Sequence, residues 1–106
     1  MKQWDVYQWN FPHGSHPAVI LSPTPVCVRS DRINVLGCSS HRARREPYDH
    51  EILLDQADGL DWETLCRLDA IWTAAKSELV QHRGTVTFER RRLLGRKFIQ
   101  LYGLVL

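Results

Sequence analysis

A short apolar run between two prolines constrains this chain more than any other stretch. Ala18-Val19-Ile20-Leu21 follows Pro17 and ends at Ser22-Pro23. Four consecutive apolar residues, two of them β-branched, predict a strand that is buried on both faces. Proline fixes its own φ and favours extended backbone at the preceding residue. His16 is therefore predicted to be held at the start of a buried strand, which is how a functional side chain is often placed.

The composition is that of a small globular protein. Hydrophobic residues make up 43% of the 106 residues and charged residues 25%, which is ordinary for a soluble domain. We expect residues 1–106 to form a single domain, because a core of this size leaves no material for a second. No segment reaches the roughly 18 apolar residues of a membrane span, and the N-terminus has no signal-peptide core. The expected location is the cytoplasm, without a membrane partner.

The cysteines are also typical of a cytoplasmic protein. The three cysteines, Cys27, Cys38 and Cys66, are an odd number in no metal-ligand spacing. A zinc site or a disulfide framework is therefore not expected, and the thiols are predicted to be reduced and to lie in the core.

Turn residues separate several short apolar segments, which predicts an antiparallel meander. Strands are expected at residues 3–11, 18–21, 33–36, 48–54 and 64–73, with 26–28 resuming the pairing. In the segment 64–73 the helical and strand patterns compete, and we prefer the strand. A short helical turn is expected at 76–80, and residues 83–87 are expected to end it.

The C-terminal segment carries a helical pattern. A helix is expected over about residues 88–103, with Thr87 as its N-cap. Its apolar stripe consists of Leu94, Phe98, Leu101, Tyr102 and Val105. The fold class is therefore mainly β: a small, strongly bent antiparallel barrel with a C-terminal α-helix packed on it. A second copy of the chain is expected to cover its exposed edges and rim.

Positive charge is concentrated in two clusters although the net charge is only +2. One is His41-Arg42-Ala43-Arg44-Arg45, and the other is Arg90-Arg91-Arg92 with Arg96-Lys97. Such clusters either follow a phosphate backbone or form solvated surfaces. For the Arg90 cluster the outer face of an amphipathic helix is the preferred interpretation, whereas for residues 41–45 the two remain open.

Histidine chemistry is possible near the first turn. His13 and His16 have HxxH spacing, but two histidines supply at most two ligands, so a metal site is not supported. General acid or base work suits His16, because the unperturbed pKa of histidine is about 6.5. For His13 we prefer an exposed loop position.

Two further groups could bind or act on a substrate. Ser39-Ser40-His41-Arg42 could clamp a phosphate, or its serines could bond their own backbone in a turn. A nucleophilic Ser40-His41 pair is less favoured because adjacent strand residues point to opposite faces. His50-Glu51 places an imidazole and a carboxylate on a strand, and a solvent-facing pair at a sheet edge is the preferred interpretation.

Six motifs follow one another along the chain in an order that is hard to obtain by chance. They are Trp4-Asp5-Val6 leading to Phe11-Pro12, GSHPAVILS at 14–22, NVLGCSS at 34–40, HEILL at 50–54, CRLDAI at 66–71 and TAAKSEL at 73–79. Together they resemble the MazF/PemK family of type II toxin–antitoxin toxins, where the corresponding segments include RPAVVLS, V-x-P-[IC]-T-[ST], HEVxL, xRxDxI and TVPKSxL.

The resemblance implies a fold and an activity. It implies an SH3-like barrel with a C-terminal helix, a homodimer, a cognate antitoxin that blocks the groove, and cleavage of single-stranded RNA at short sequences without a metal or other cofactor. In such cleavage the adjacent 2′-hydroxyl attacks the phosphate, which requires a base, an acid and donors to the oxyanion. The alternative is a non-catalytic module of the same fold, either a degenerate toxin or a gyrase poison like CcdB.

The resemblance also implies roles for particular residues. The family's catalytic arginine precedes the proline of its RP motif, and here that position is His16. The family's catalytic Thr or Ser corresponds to Ser39 or Ser40, with both registers open. Arg42 or Arg44 would restore the missing positive charge, and His41 and His50 are further candidates for RNA or phosphate binding.

Overall fold

The computed structural model describes residues 1–40 and 45–104. Within them lies one curled antiparallel sheet of six strands, in the order β4-β5-β3-β2-β1-β6. The elements are β1 (Asp5–Phe11), β2 (Gly14–Ile20), α1 (Thr24–Arg29), β3 (Arg32–Ser40), β4 (Glu51–Leu54), β5 (Thr64–Ala75), β6 (Val80–Thr85) and α2 (Phe88–Leu101), with 3-10 turns at Gln56–Asp58 and Lys76–Glu78. The predicted mainly β barrel-like fold with a C-terminal helix is confirmed.

The predicted buried strand lies in the middle of the sheet. Ala18, Val19 and Ile20 on β2 are fully buried, between β1 and β3. Val19 packs into an apolar cluster with Leu94 of α2, whereas Ala18 and Ile20 pack into a second cluster with Cys27 of α1. Alternate side chains of a strand point to opposite faces, so a run without polar positions belongs where helices cover both faces.

The longest pairing joins β3 and β5, from Arg32 opposite Ala75 to Ser40 opposite Thr64. The strand preferred over a helix at 64–73 is thus confirmed, and it is extended by two residues. An irregularity between Leu36 and Cys38 shifts the register, and such irregularities bend a strand. The end of β3 and the start of β5 lie at one rim of the curled sheet, where the polar Ser40 and Thr64 are paired.

Two predicted elements are wrong. Residues 26–28 do not resume the strand pairing but belong to α1, which begins after Pro23 and has a proline in its first turn. Proline is favoured there because its missing N–H and fixed φ suit a helix start. Residues 83–85 do not merely end a turn but form the end of β6, an edge strand with an irregular register against β1.

Helix α2 begins as predicted, since Thr87 caps it by accepting a hydrogen bond from the backbone N–H of Arg90. Of the predicted stripe, Leu94 is fully buried and Phe98 packs against the core. Leu101 and Tyr102 are about two-fifths exposed, although the Tyr102 hydroxyl donates to the carbonyl oxygen of Leu68 at 2.8 Å. Val105 lies outside the described residues.

The prediction that Arg90 lies on the solvated outer face of the helix is wrong. Its guanidinium contacts Asp58 at 2.6 Å and Asp55 at 2.7 Å. Asp58 is fully buried, and it also accepts from the backbone N–H groups of Asp55 and Thr87. A buried carboxylate requires such partners, so Arg90 ties the start of α2 to the turn at Gln56–Asp58.

Two further observations complete the fold. Cys27, Cys38 and Cys66 are all buried, as expected for small core residues. No helix in the described part of the chain is long and apolar enough to cross a membrane.

Candidate functional site

A polar cleft of about 290 Å³ opens at the rim where β3 ends and β5 begins. Its floor and walls come from β1, β2, β3, β6 and the loop before β5. The side chains that matter chemically are Gln8, His16, Ser40, Asp61, Trp62 and Arg83. The cleft therefore brings together two of the candidates predicted from the sequence, His16 and Ser40.

His16 lies on β2 opposite Trp9 of β1 and is half-buried. The two strands are joined by a tight hairpin in which Phe11 pairs with Gly14. The hairpin stacks His13 beside His16, with 5.0 Å between ring centroids. Burial lowers the pKa of His16 below its usual value, and the nearby His13 lowers this pKa further. The imidazole of His16 is therefore mainly neutral at neutral pH and able to accept a proton.

Ser40 is the last residue of β3, and its hydroxyl oxygen accepts a hydrogen bond from the indole N–H of Trp62 at 3.3 Å. Because neighbouring strand residues point to opposite faces, Ser39 and Ser40 do not present their side chains to the same side. Ser40 lines the cleft with His16. Its hydroxyl proton remains available for donation to a bound oxygen, since the contact with Trp62 uses only a lone pair.

Arg83 of β6 brings a positive charge into the cleft. Its guanidinium donates to the side-chain oxygen of Gln8 and to the carboxylate of Asp61, both at 2.9 Å. Gln8 in turn donates to the hydroxyl of Ser15 at 2.9 Å. The Arg83 side chain is only 15% exposed, whereas that of Asp61 is 71% exposed. An ion pair with so exposed a carboxylate contributes little free energy, so an incoming phosphate can replace Asp61 at small cost.

His50 lies apart from this cleft. It stands just before β4, its carbonyl oxygen accepts from the backbone N–H of Leu68, and its ring lies 5.7 Å from that of Tyr48. The sequence favoured a solvent-facing position for the neighbouring Glu51, and this prediction is wrong. Glu51 is buried, and its carboxylate accepts two hydrogen bonds from Arg45 and one from the backbone N–H of Tyr48. This arrangement is structural, and the Arg45 guanidinium holds the pKa of Glu51 below its usual value.

Three predicted binding residues, His41, Arg42 and Arg44, lie outside the described residues. Among residues 1–40 and 45–104 there is no cluster of three or more side chains suited to holding a metal ion. His13 and His16 are adjacent, but they remain a pair in this part of the chain.

Arg83 and Trp62 were not predicted as site residues, and the reason is local. The sequence of β6, Val80–Thr85, has no alternating apolar pattern, so His82-Arg83-Gly84 gives no strand signal. Trp62 lies in the loop before β5, outside any strand or helix pattern, and it is 63% exposed. Trp62 stands between Asp61 and Glu63 in the sequence, and these acidic neighbours are the signal that could have indicated an exposed indole.

The chain matches no protein-family model and no curated protein in sequence. Its fold, by contrast, matches solved structures over nearly its whole length. An endoribonuclease of a mycobacterial species, solved in complex with its cognate antitoxin, superimposes with a TM-score of 0.86 at 19% identity, covering 100% of this chain and 98% of the other.

Two further structures agree. The Mycobacterium tuberculosis toxin MazF-mt6 gives a TM-score of 0.84 at 15% identity, over 96% of this chain and 99% of the other. A chain of the MazE–MazF crystal structure from Deinococcus radiodurans gives a TM-score of 0.78 at 17% identity, over 99% of this chain and 97% of the other. The fold of the chain is therefore that of MazF toxins.

Proposed function

We propose that the protein is the toxin of a type II toxin–antitoxin system and that it cleaves single-stranded RNA in the cleft between His16 and Ser40. The observation that carries the proposal is the presence of His16, Ser40 and Arg83 in one polar cleft of a MazF toxin fold. These three side chains supply the base and the two donors to the oxyanion that the chemistry requires, and solvent acts as the acid.

In the proposed reaction, neutral His16 takes the proton from a ribose 2′-hydroxyl. The 2′-oxygen then attacks the adjacent phosphorus, the bond from phosphorus to the 5′-oxygen breaks, and that oxygen takes a proton from solvent. The products are a 2′,3′-cyclic phosphate and a 5′-hydroxyl. A lowered pKa suits this role because it keeps the imidazole unprotonated at neutral pH.

Arg83 and Ser40 would stabilise the charge that develops on the phosphate. A guanidinium presents several donors in a fixed fork, and such preorganised donors are more effective than water. Arg83 thereby supplies the positive charge that is absent from position 16, where the resembled family has arginine. It comes from β6, on the other side of β1 from β2.

An RNA-cleavage assay in excess chelator tests the proposal. Purified protein is incubated with a long single-stranded RNA, and the new ends are analysed for cyclic phosphate and 5′-hydroxyl groups. We expect cleavage by the wild type, and a loss of at least about 100-fold in His16→Ala and Ser40→Ala, the magnitude typical of a catalytic base or oxyanion donor.

Ser39→Ala is the matched control, because it removes the same hydroxyl from the neighbouring position on the same strand. It should retain activity within a few-fold. Intact RNA with the wild type would remove the activity and favour a non-catalytic toxin-fold module. Equal losses in Ser39→Ala and Ser40→Ala would remove the assignment of Ser40.

We further propose a cognate antitoxin and a homodimer as partners, with cytoplasmic action. Structural neighbours solved with antitoxins support the first. Exposed apolar side chains along and after α2, namely Leu93, Leu101, Tyr102 and Leu104, support the second. Sedimentation equilibrium of the purified chain, alone and with the product of an adjacent small acidic reading frame, measures both.

A further inference from the structure

Trp62 is an exposed aromatic side chain fixed at one edge of the cleft. Its side chain lies in the loop before β5, and its indole N–H donates to the hydroxyl oxygen of Ser40. The residue is nevertheless 63% exposed. One edge of the ring is thus held against the proposed active hydroxyl, while much of its surface remains open to a ligand.

The loop that carries Trp62 is held from several sides. Asp58 is fully buried and accepts from Arg90 and from the backbone N–H of Thr87. A methyl group on Gly59 would overlap the carbonyl oxygen of Arg83, which shows how closely the loop packs on β6. The carbonyl oxygen of Trp62 itself accepts from the Thr64 hydroxyl at 3.0 Å. Trp62 is therefore positioned before any ligand binds, which lowers the entropic cost of binding.

We propose that Trp62 is a stacking platform for a nucleobase of single-stranded RNA next to the phosphate bound at Ser40 and Arg83. This inference rests on the proposed function. Proteins that bind single strands combine a cationic groove with aromatic rings on which bases stack, and here Arg83, Ser40 and Trp62 line one cleft. Every base has a π-face, so this subsite contributes affinity with little sequence preference.

The test measures binding separately from cleavage. The probe is a fluorescein-labelled 12-nucleotide RNA of mixed sequence with 2′-O-methyl groups, which cannot undergo attack by the 2′-oxygen. We expect Trp62→Ala to raise its Kd by about 5- to 150-fold, the range for loss of one stacked base. Trp62→Phe keeps an aromatic face but loses the N–H, so its Kd should rise by no more than about 5-fold.

Phe88→Ala is the matched control, since Phe88 is 68% exposed but does not line the cleft. Its Kd should equal that of the wild type. A second measurement needs no truncation: binding of an unlabelled probe of the same sequence should quench tryptophan fluorescence in the wild type and clearly less in Trp62→Phe. Equal quenching in the two proteins, an unchanged Kd in Trp62→Ala, or no detectable binding by the wild type would overturn the inference.

The same variants separate this inference from the proposed function. If the wild type binds the probe through Trp62 but leaves unmodified RNA intact, the stacking subsite stands and the nuclease activity fails. If the wild type cleaves RNA and Trp62→Ala cleaves it with the same KM, the activity stands and the subsite fails.

Discussion

At the scale of single residues, His16 shows how a local environment selects a protonation state. Its ring is partly removed from water and lies beside a second imidazole, and both effects disfavour the charged form. A histidine that is neutral at neutral pH is ready to act as a base. An arginine cannot do this, because it stays protonated throughout the physiological range.

The pH dependence of cleavage follows from this environment. Below the pKa of His16 the imidazole is protonated and cannot accept a proton, so kcat/KM should fall as the pH drops through a value below about 6.5. His13→Gln removes the neighbouring imidazole that lowers the pKa of His16 and should move this acid limb to higher pH, by less than the full shift because burial is the larger cause. Cleavage rates between pH 4.5 and 8 measure the shift, and an acid limb that moves to lower pH in His13→Gln contradicts the prediction.

Substitutions at Arg83 and Asp61 should have very different effects on RNA cleavage, although the two side chains contact each other. Arg83→Gln removes a cation whose contact with the phosphate strengthens as charge develops, so kcat should fall by about 100-fold or more. Asp61→Asn breaks an ion pair whose acid is mostly exposed, so cleavage should change by no more than about 5-fold. Single-turnover kinetics of both variants decide the point, and a large loss in Asp61→Asn would mean that the pair itself is needed.

At the scale of elements, a buried carboxylate joins the loop before β5 to helix α2. Arg90→Ala leaves Asp58 charged and fully buried with only backbone N–H donors. Removing one partner of such a pair typically costs about 3–5 kcal/mol in the free energy of unfolding, and we expect about 3 because those donors remain. Urea denaturation measures the loss, and Arg92→Ala, an exposed position two residues along the same helix, should change it by less than about 0.5 kcal/mol.

A substitution at Gly95 of α2 should raise the stability of the protein, whereas Arg90→Ala lowers it. It lies in the helix interior, and within residues 1–40 and 45–104 a methyl group added there would meet no atom within 4 Å apart from the local backbone of the helix itself. Alanine restricts the unfolded chain and favours the helix, so Gly95→Ala should stabilise the protein by about 0.5–1 kcal/mol. Thermal unfolding measures this gain. The contrasting variant is Gly59→Ala, where φ is +94° and the carbonyl oxygen of Arg83 is in the way, so its Tm should fall.

These elements also show where sequence reasoning succeeds. The β2 strand and helix α2 were predictable because burial imposes a regular apolar pattern on them. Edge strand β6 was not, since its residues are only partly buried and its register against β1 is irregular. His16 was found beside a motif, whereas Arg83 and Trp62 enter the cleft only because the loop and β6 fold against each other. Contacts of this kind depend on the tertiary structure and leave no periodic signal.

At the scale of the whole molecule, carboxylates paired in the native state make folding depend on pH. The pKa of Glu51 is lowered chiefly by its hydrogen bonds from Arg45, and that of Asp55 chiefly by those from Arg90. A carboxylate with a lowered folded-state pKa stabilises the protein above its unfolded pKa of about 4. That stabilisation is lost as the pH falls through the folded-state pKa, because the carboxyl group is then protonated in both the folded and the unfolded state.

Glu51→Gln tests this at the buried site. The variant keeps the shape of the side chain but loses the charge that Arg45 and the Tyr48 N–H stabilise. We expect a lower free energy of unfolding than the wild type at pH 7, and a gap that narrows as the pH falls from about 4.5 toward 2. Urea titrations across this range measure both curves, with Glu63→Gln as the exposed control. Curves that stay parallel down to pH 2 would show that Glu51 does not link protonation to folding, and the acid sensitivity of the molecule would then have to arise from its other carboxylates.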